Sequence, residues 1–350
     1  MDIIILKGKG NHQFHLGRQD LDDTFFHIQS DTLFSALVNC YALFYPDEVP
    51  LFIEAFESGK IQLSSAFPCL EAAGGYKVFF LPKPMPYHRV TGGQIKKLKR
   101  IQYISLGVWR EAPAVEDLIN YPLIGGRFAM TEEERQQLNL SSNKDTLKAI
   151  RPMSEDLHPK VRVHAIDQTD VFYHQAVVQL NELEDEDKQP IKTQFFFLLD
   201  ESLASPLKER LTATLMLLAD EGIGGERSSG KGQIEEIERI KGVASLFPSA
   251  SVDSSLCLLS LFIPASQEER EKIAQYNLVV RGGGSLGRYG DVEQHRRQVR
   301  MVQEGAIISE KVRGKLVELQ PEKVDPALFP HPIYRNGLSF LLPFKQQTNG

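Results

Sequence analysis

The chain has 350 residues, enough for two domains or for one core with large insertions. Its 42% hydrophobic and 25% charged content excludes a chain that is disordered throughout. Forty basic residues against forty-six acidic ones give a net charge of −6, which excludes an evenly basic surface and confines any nucleic-acid contact to a local patch. Cys40, Cys69 and Cys257 lie far apart and form no C-x-x-C pair, so neither a disulfide framework nor a cysteine zinc site is expected. The apolar run Ile3 to Leu6 is too short for a signal peptide, and no apolar run approaches the roughly 18 residues that cross a bilayer. A soluble, cytosolic chain is the expectation, with no membrane contact.

In chain order, Asp2 to Leu6 reads as a buried strand. Ser30-Asp31-Thr32 is a helix start, and Leu33, Ala36, Leu37, Cys40, Tyr41 and Phe44 follow at helical spacing up to Pro46. Asp31 reads there as a carboxylate facing backbone N–H groups, whose loss should cost at most about 1 kcal/mol. Ile61 to Phe67 and Tyr76 to Leu81 are strands around Gly74-Gly75, giving a β-α-β-β order. From Pro82 to Arg110 the chain carries Lys83, Arg89, Lys96, Lys97, Lys99, Arg100 and Arg110 with no acidic residue. Such a run suits a solvated face, but Tyr87, Tyr103 and Trp109 among the cations also suit single-stranded nucleic acid. Residues 112–153 look irregular and polar, an insertion outside the core.

Val161 to Ala165 and Val171 to Leu180 alternate and form a hairpin; Phe195 to Leu199 is a buried strand. Ser205 as cap and Pro206 at the first helical position open a helix with Leu207, Leu211, Leu215 and Leu218 on one face, closed by Gly222. Gly242 to Ser255, small and polar, marks a boundary between residues 1–243 and 251–350. Leu256 to Ile263 is a strand, Gln267 to Gln275 a capped helix, and Asn277 to Val280, Gln298 to Val302 and Gly337 to Phe344 are strands. The same element order recurs, which points to two related α+β units.

Gly225 to Lys231 nearly spells G-x-x-x-x-G-K-[ST], but Gly232 stands where the magnesium-holding hydroxyl belongs, and the loop follows a helix instead of a strand. Gly282 to Gly287 matches G-x-G-x-x-G with too little chain after it for a dinucleotide fold. Between Gly222 and Gly232 lie five glycines with Arg227, Ser228, Ser229 and Lys231. A helix cap and turn explain one or two of the glycines; a phosphate held by backbone N–H groups and two cations explains all five, and is favoured. His12 and His15 have metal-like spacing without carboxylate company, so no metal or other cofactor is expected. His164, sharing a strand face with Arg162, and His174 on the facing strand leave metal-free acid–base cleavage of RNA open, although a surface histidine is the commoner case.

Four of these segments together resemble the RAMP proteins of CRISPR systems, and among them the fourth-subunit family of type III-A Csm effector complexes. They are Ser30 to Leu37, Gly222 to Gly232, Val299 to Gly305 and His331 to Leu338. The resemblance implies an α+β chain of two ferredoxin-like (RRM-like) domains with insertions in the first. It implies a non-catalytic subunit that grips the 5′ tag of the guide RNA, with the large polymerase-like subunit and a backbone RAMP subunit as partners. It carries RNA contacts onto Gly224, Gly225, Arg227, Ser228, Ser229 and Lys231, with Ser30 nearby. Arg162, His164, Lys96, Lys97 and Arg100 complete the candidate RNA-binding set. Gln168 stands where the resemblance calls for a basic hairpin residue. The alternative is a metal-independent RAMP endoribonuclease with His164 or His27 as general base.

Overall fold

The computed structural model describes residues 1–17, 24–85, 95–162, 171–248, 255–282, 284–286, 293–295, 297–320 and 332–344. Its centre is an antiparallel sheet in which Glu236–Ile240, Asp2–Lys7, Pro190–Glu201 and Phe67–Ala72 lie side by side. In chain order these are strands four, one, three and two of a β-α-β-β-α-β unit, the ferredoxin-like arrangement. Its two helices, Ser30–Phe44 and Leu207–Glu221, pack against each other. The middle strands are continuous apolar runs because both of their faces are covered: Ile3 to Leu6 and Phe195 to Leu199 are all buried.

Residues 73–189 form the insertion. Lys77–Pro82, Tyr103–Ser105, Phe128–Ala129 and Leu123–Ile124 extend the central sheet, while Met153–Arg162, Val171–Leu180 and His12–Phe14 make a separate three-stranded sheet. The expectation that residues 112–153 stay outside the core is corrected. Leu118, Ile124, Phe128, Met130, Leu138, Leu140, Leu147 and Met153 are buried in the main core. Six-residue helices and two-residue strands are too short to show a period, so their apolar residues look scattered in the sequence. The supposed strand Ile61 to Phe67 is broken at Ser64 and Ser65, whose hydroxyls bond outside the ladder. The helix after Ser205 begins at Leu207, with Pro206 in the cap position; the Ser205 hydroxyl donates to Glu209 instead of capping.

The C-terminal part repeats the order. Ile273–Gln275, Ile307–Ile308, Ser255–Leu258 and Leu341–Phe344 lie side by side, again strands two, three, one and four, all antiparallel. The helix is shorter than expected, Gln267–Glu271, and the chain passes from it into the edge strand. Gly337 to Phe344 resolves into Tyr334–Leu338 and Leu341–Phe344, which belong to different sheets. Gly314–Glu318 pairs with Tyr334–Leu338 as a two-stranded ladder between strands three and four, where a second helix stands in the first unit.

The two units meet at a polar seam. The Ser30 backbone N–H donates to Ser65 Oγ and the Ser30 hydroxyl accepts from the Leu261 N–H, each at 2.9 Å. Ser65 Oγ also donates to Glu304, whose carboxylate lies 3.4 Å from His27 Nε2. Asp31 is buried and accepts from Arg281 Nε and Nη2, both at 2.9 Å, and from Arg335 Nη1. The reading of Asp31 as a helix-end carboxylate of small energetic weight is therefore corrected. The N-cap is Gln29, and Asp31 ties the first unit to two strands of the second. Its carboxyl is held at about 2 against burial by the two guanidiniums. Replacing Asp31 by Ala strands two buried cations and should destabilise the protein by about 3–5 kcal/mol in denaturant unfolding. Because the folded pKa is depressed, the Asp31 contribution is complete above the unfolded value near 4 and is lost as pH falls through about 2. The wild type should therefore lose about 2 kcal/mol more than Asp31→Ala between pH 5 and pH 2.

Candidate nucleic-acid interface

Behind the helix Leu207–Glu221 the chain turns through Gly222 and folds back on itself. The Ile223 N–H donates to the Gly232 carbonyl, the Gly225 N–H to the His15 carbonyl and the Gly232 N–H to the Gln13 carbonyl, at 2.7–3.0 Å. The glycines are required by this closeness. A Cβ at Gly232 would lie 1.9 Å from the Ile223 oxygen, at Gly222 2.5 Å from the Gly232 oxygen, and at Gly224 2.7 Å from the His15 oxygen. A Cβ at Gly225 would meet the His15 ring, whereas Gly230 faces open space with φ +82°. The inference from glycine number to phosphate is thus corrected: the loop's own packing accounts for four of the five.

The loop borders a cleft of about 720 Å³. Its other walls are His15 to Gly17, helix Ser30–Phe44 from Asp31 to Leu43, and Arg281, Gly282 and Arg335 of the second unit. Of the candidate residues, Gly224, Gly225 and Arg227 line it. Arg227 is exposed and its Nη1 donates to the carbonyl and carboxylate of Glu221, at 3.1 and 3.2 Å. Lys231 points elsewhere: it is 7% exposed, its Nζ lies 3.4 Å from Gln175 Oε1, and burial with neighbouring Lys160 holds its pKa below the usual lysine range. Ser228 and Ser229 are exposed, and Ser229 Oγ donates to Glu226, which is itself bridged to Lys160 of the hairpin at 3.1 Å. Ser30 is fully buried with its hydroxyl committed to Leu261, so it shapes the cleft from behind. Lys96, Lys97 and Arg100 are exposed on the helix Ile95–Arg100 and do not line the cleft. Arg162 ends the strand opposite Val171; its side chain, and His164 entirely, lie outside the described residues.

The sequence reading missed Arg281, Arg335, Gln29 and Asn39, all of which line the cleft. Arg335 sits inside the His331 to Leu338 segment, but nothing local marks it as a partner of a residue 304 positions away. Beyond Phe25 and His27, which border both spaces, lies a second cavity of about 440 Å³ lined by Lys83, Lys99, Tyr103 and Glu304. Burial lowers the Lys83 amine to about 8, and it donates to the Leu98 carbonyl. His27 is held between the Tyr103 hydroxyl at 3.2 Å and Glu304 at 3.4 Å. Cys40 borders the first cleft, but burial pushes its thiol up to about 11, too high for a nucleophile at neutral pH. Among the described residues no group of three or more His, Cys, Asp or Glu side chains is placed to hold a metal ion. Among them, too, no helix is long and apolar enough to cross a membrane.

One chain thus holds two ferredoxin-like units, with a glycine-rich loop after the second helix of the first unit. Residues 252–344 match the family model described as the CRISPR Csm4 C-terminal domain. Over its whole length the chain is 24% identical to the CRISPR system Cms protein Csm4 of Methanocaldococcus jannaschii, covering 100% of this chain and 99% of that one. The Csm3-Csm4 subcomplex of a type III-A CRISPR-Cas interference complex contains a chain that superposes with a TM-score of 0.69 at 22% identity, covering 99% of this chain and 100% of that one. A Csm1-Csm4 cassette in complex with cA4 gives 0.54 at 18% identity, covering 99% of each chain. In fold and in sequence the chain is Csm4-like.

The loop geometry fixes an order of effects. Gly232→Ala should lower the melting temperature far more than Gly230→Ala, which meets only the cost of a positive φ, about 1–2 kcal/mol. Equal losses at the two positions, measured by thermal unfolding, would contradict the packing role.

Proposed function

We propose that this protein is a non-catalytic RNA-binding subunit of a type III-A CRISPR effector complex acting in antiviral defence. The 5′ tag of the guide RNA would lie in the cleft between the glycine-rich loop and the seam. The observation that carries the reading is that both units contribute guanidiniums to one cleft: Arg227 from the first, Arg281 and Arg335 from the second. Cations at a groove wall suit phosphates. The large polymerase-like subunit and a backbone RAMP subunit are the proposed partners. The likeness to chains from a Csm3-Csm4 subcomplex and a Csm1-Csm4 cassette supports them. A division into 1–243 and 251–350 belongs to the same proposal, supported by two sheets that share no strand.

Absence of nuclease activity is the finer part of this reading. The rival general base, His27, is enclosed by Tyr103 and Glu304, which supports a structural part for it. Incubation of the purified chain with repeat RNA in EDTA should leave the RNA intact. Site-specific cleavage abolished by His27→Ala or His164→Ala would replace this reading with the endoribonuclease.

The candidate cations should separate on substitution. Arg227→Ala should weaken RNA binding with an unchanged melting temperature, because an exposed loop cation contributes little to stability. Lys231→Ala, by contrast, should lower both, since it loosens the loop from Gln175. If Lys96, Lys97 and Arg100 track the RNA beyond the cleft, replacing all three by Ala should flatten the salt dependence of binding by about 0.7 per lost contact. An unchanged slope would assign them to solvent or to a protein partner.

A further inference from the structure

The second cavity, of about 440 Å³, holds a charge that the protein itself leaves unanswered. Lys83 follows the strand Lys77–Pro82 and lines this cavity with only 3% of its surface exposed. Its backbone N–H donates to the Gln102 carbonyl, and its amine donates to the Leu98 carbonyl. A neutral carbonyl takes one of the three ammonium donors and brings no charge. Buried cations are paired or pushed toward neutrality, and burial alone lowers this amine to about 8.

Glu304, the carboxylate on the same cavity, is already committed. Its Oε1 accepts from Ser65 and lies 3.4 Å from His27 Nε2. Neither Glu304 nor any other carboxylate among the described residues forms an ion pair with Lys83. Lys99, exposed on the same cavity, adds a second cation. The remaining wall is largely apolar, with Pro82, Met85 and Ile101 buried around Lys83 and the amides of Asn277 and Gln303 opposite. Small-molecule sites are of this kind: roughly 300–1,000 Å³, apolar with a few polar groups, and placed where two units meet.

We infer that this cavity binds a small organic carboxylate, whose anionic head pairs with the Lys83 ammonium while an apolar body lies against Met85 and Ile101. The inference does not depend on RNA in the cleft. A single negative charge fits better than a phosphate dianion, because one ammonium is buried there and Glu304 stands on the same cavity. A charge-assisted hydrogen bond formed away from water is strong, and it returns the amine toward the usual lysine range.

Ligand-observed NMR titrations of the full chain with benzoate and benzamide, and competition by chloride and inorganic phosphate, supply the test. Benzoate should bind, and benzamide, the same body without the charge, should bind about tenfold more weakly or worse. Lys83→Met should lose that preference while melting close to the wild type, because removal of a buried charge offsets the lost hydrogen bond. Lys83→Gln is the second variant, with the same expected loss. Equal binding of the two probes by the wild type, binding of neither, or an unchanged preference in either folded variant overturns the proposal. So does full displacement of benzoate by equimolar phosphate or chloride, which would make the cavity an inorganic-ion site. Benzoate should also stay bound when saturating single-stranded RNA is added; its displacement would make the cavity an extension of the RNA cleft. A chain that binds benzoate but no RNA would overturn the RNA reading and leave this one standing.

Discussion

A single buried carboxylate organises the place where the two halves of this protein meet. Asp31 sits in the first turn of the helix Ser30–Phe44 and accepts hydrogen bonds from Arg281 and Arg335, which come from two separate strands of the second unit. Around it the Leu261–Ser30 and Ser65–Glu304 hydrogen bonds cross from one unit to the other, while Ser30 and Ser65 are bonded to each other within the first. Charges enclosed in this way are held only while every partner is present, so the relative position of the units is set by stereochemistry and not by apolar area alone. The cleft exists because of that fixed relation: one wall is the glycine-rich loop, the opposite one the strand end at Arg281.

The glycine-rich loop shows that close backbone packing can demand glycines without any ligand. Gly222, Gly224 and Gly232 are small because the backbone passes within van der Waals range of itself and of His15. That close folding presents Arg227 at the cleft edge and fastens the loop to the hairpin through Glu226 and Lys231. Backbone economy thus builds the wall, and the side chains supply the electrostatics. The loop does not act alone, since two of the three guanidiniums on the cleft come from the other unit.

Much of the fold was legible in the sequence. Ile3 to Leu6 and Phe195 to Leu199 are unbroken apolar runs because they form the two middle strands, and the leucines of Leu207–Glu221 keep a helical spacing because one face of that helix is covered. The repeated order of elements pointed to a second unit, and the strand order 4-1-3-2 occurs in both. Residues 112–153 were illegible because their elements are only two to six residues long. The seam was illegible for another reason. Arg281 and Arg335 pair with Asp31 across 250 and 304 residues, a distance over which no periodicity or local motif carries information. Asp31 itself looked like an ordinary helix-end acid, since a first-turn carboxylate is favourable there with or without a distant partner.

The central claim is that RNA occupies the cleft between the two ferredoxin-like units. Photo-crosslinking of RNA bound to the full-length chain, followed by mass-spectrometric mapping of the modified peptides, tests it most directly. The account predicts crosslinks from both units, at the Phe25 segment and the glycine-rich loop on one side and around Arg281 on the other. Crosslinks confined to the exposed helix Ile95–Arg100, with none bordering the cleft, would contradict it.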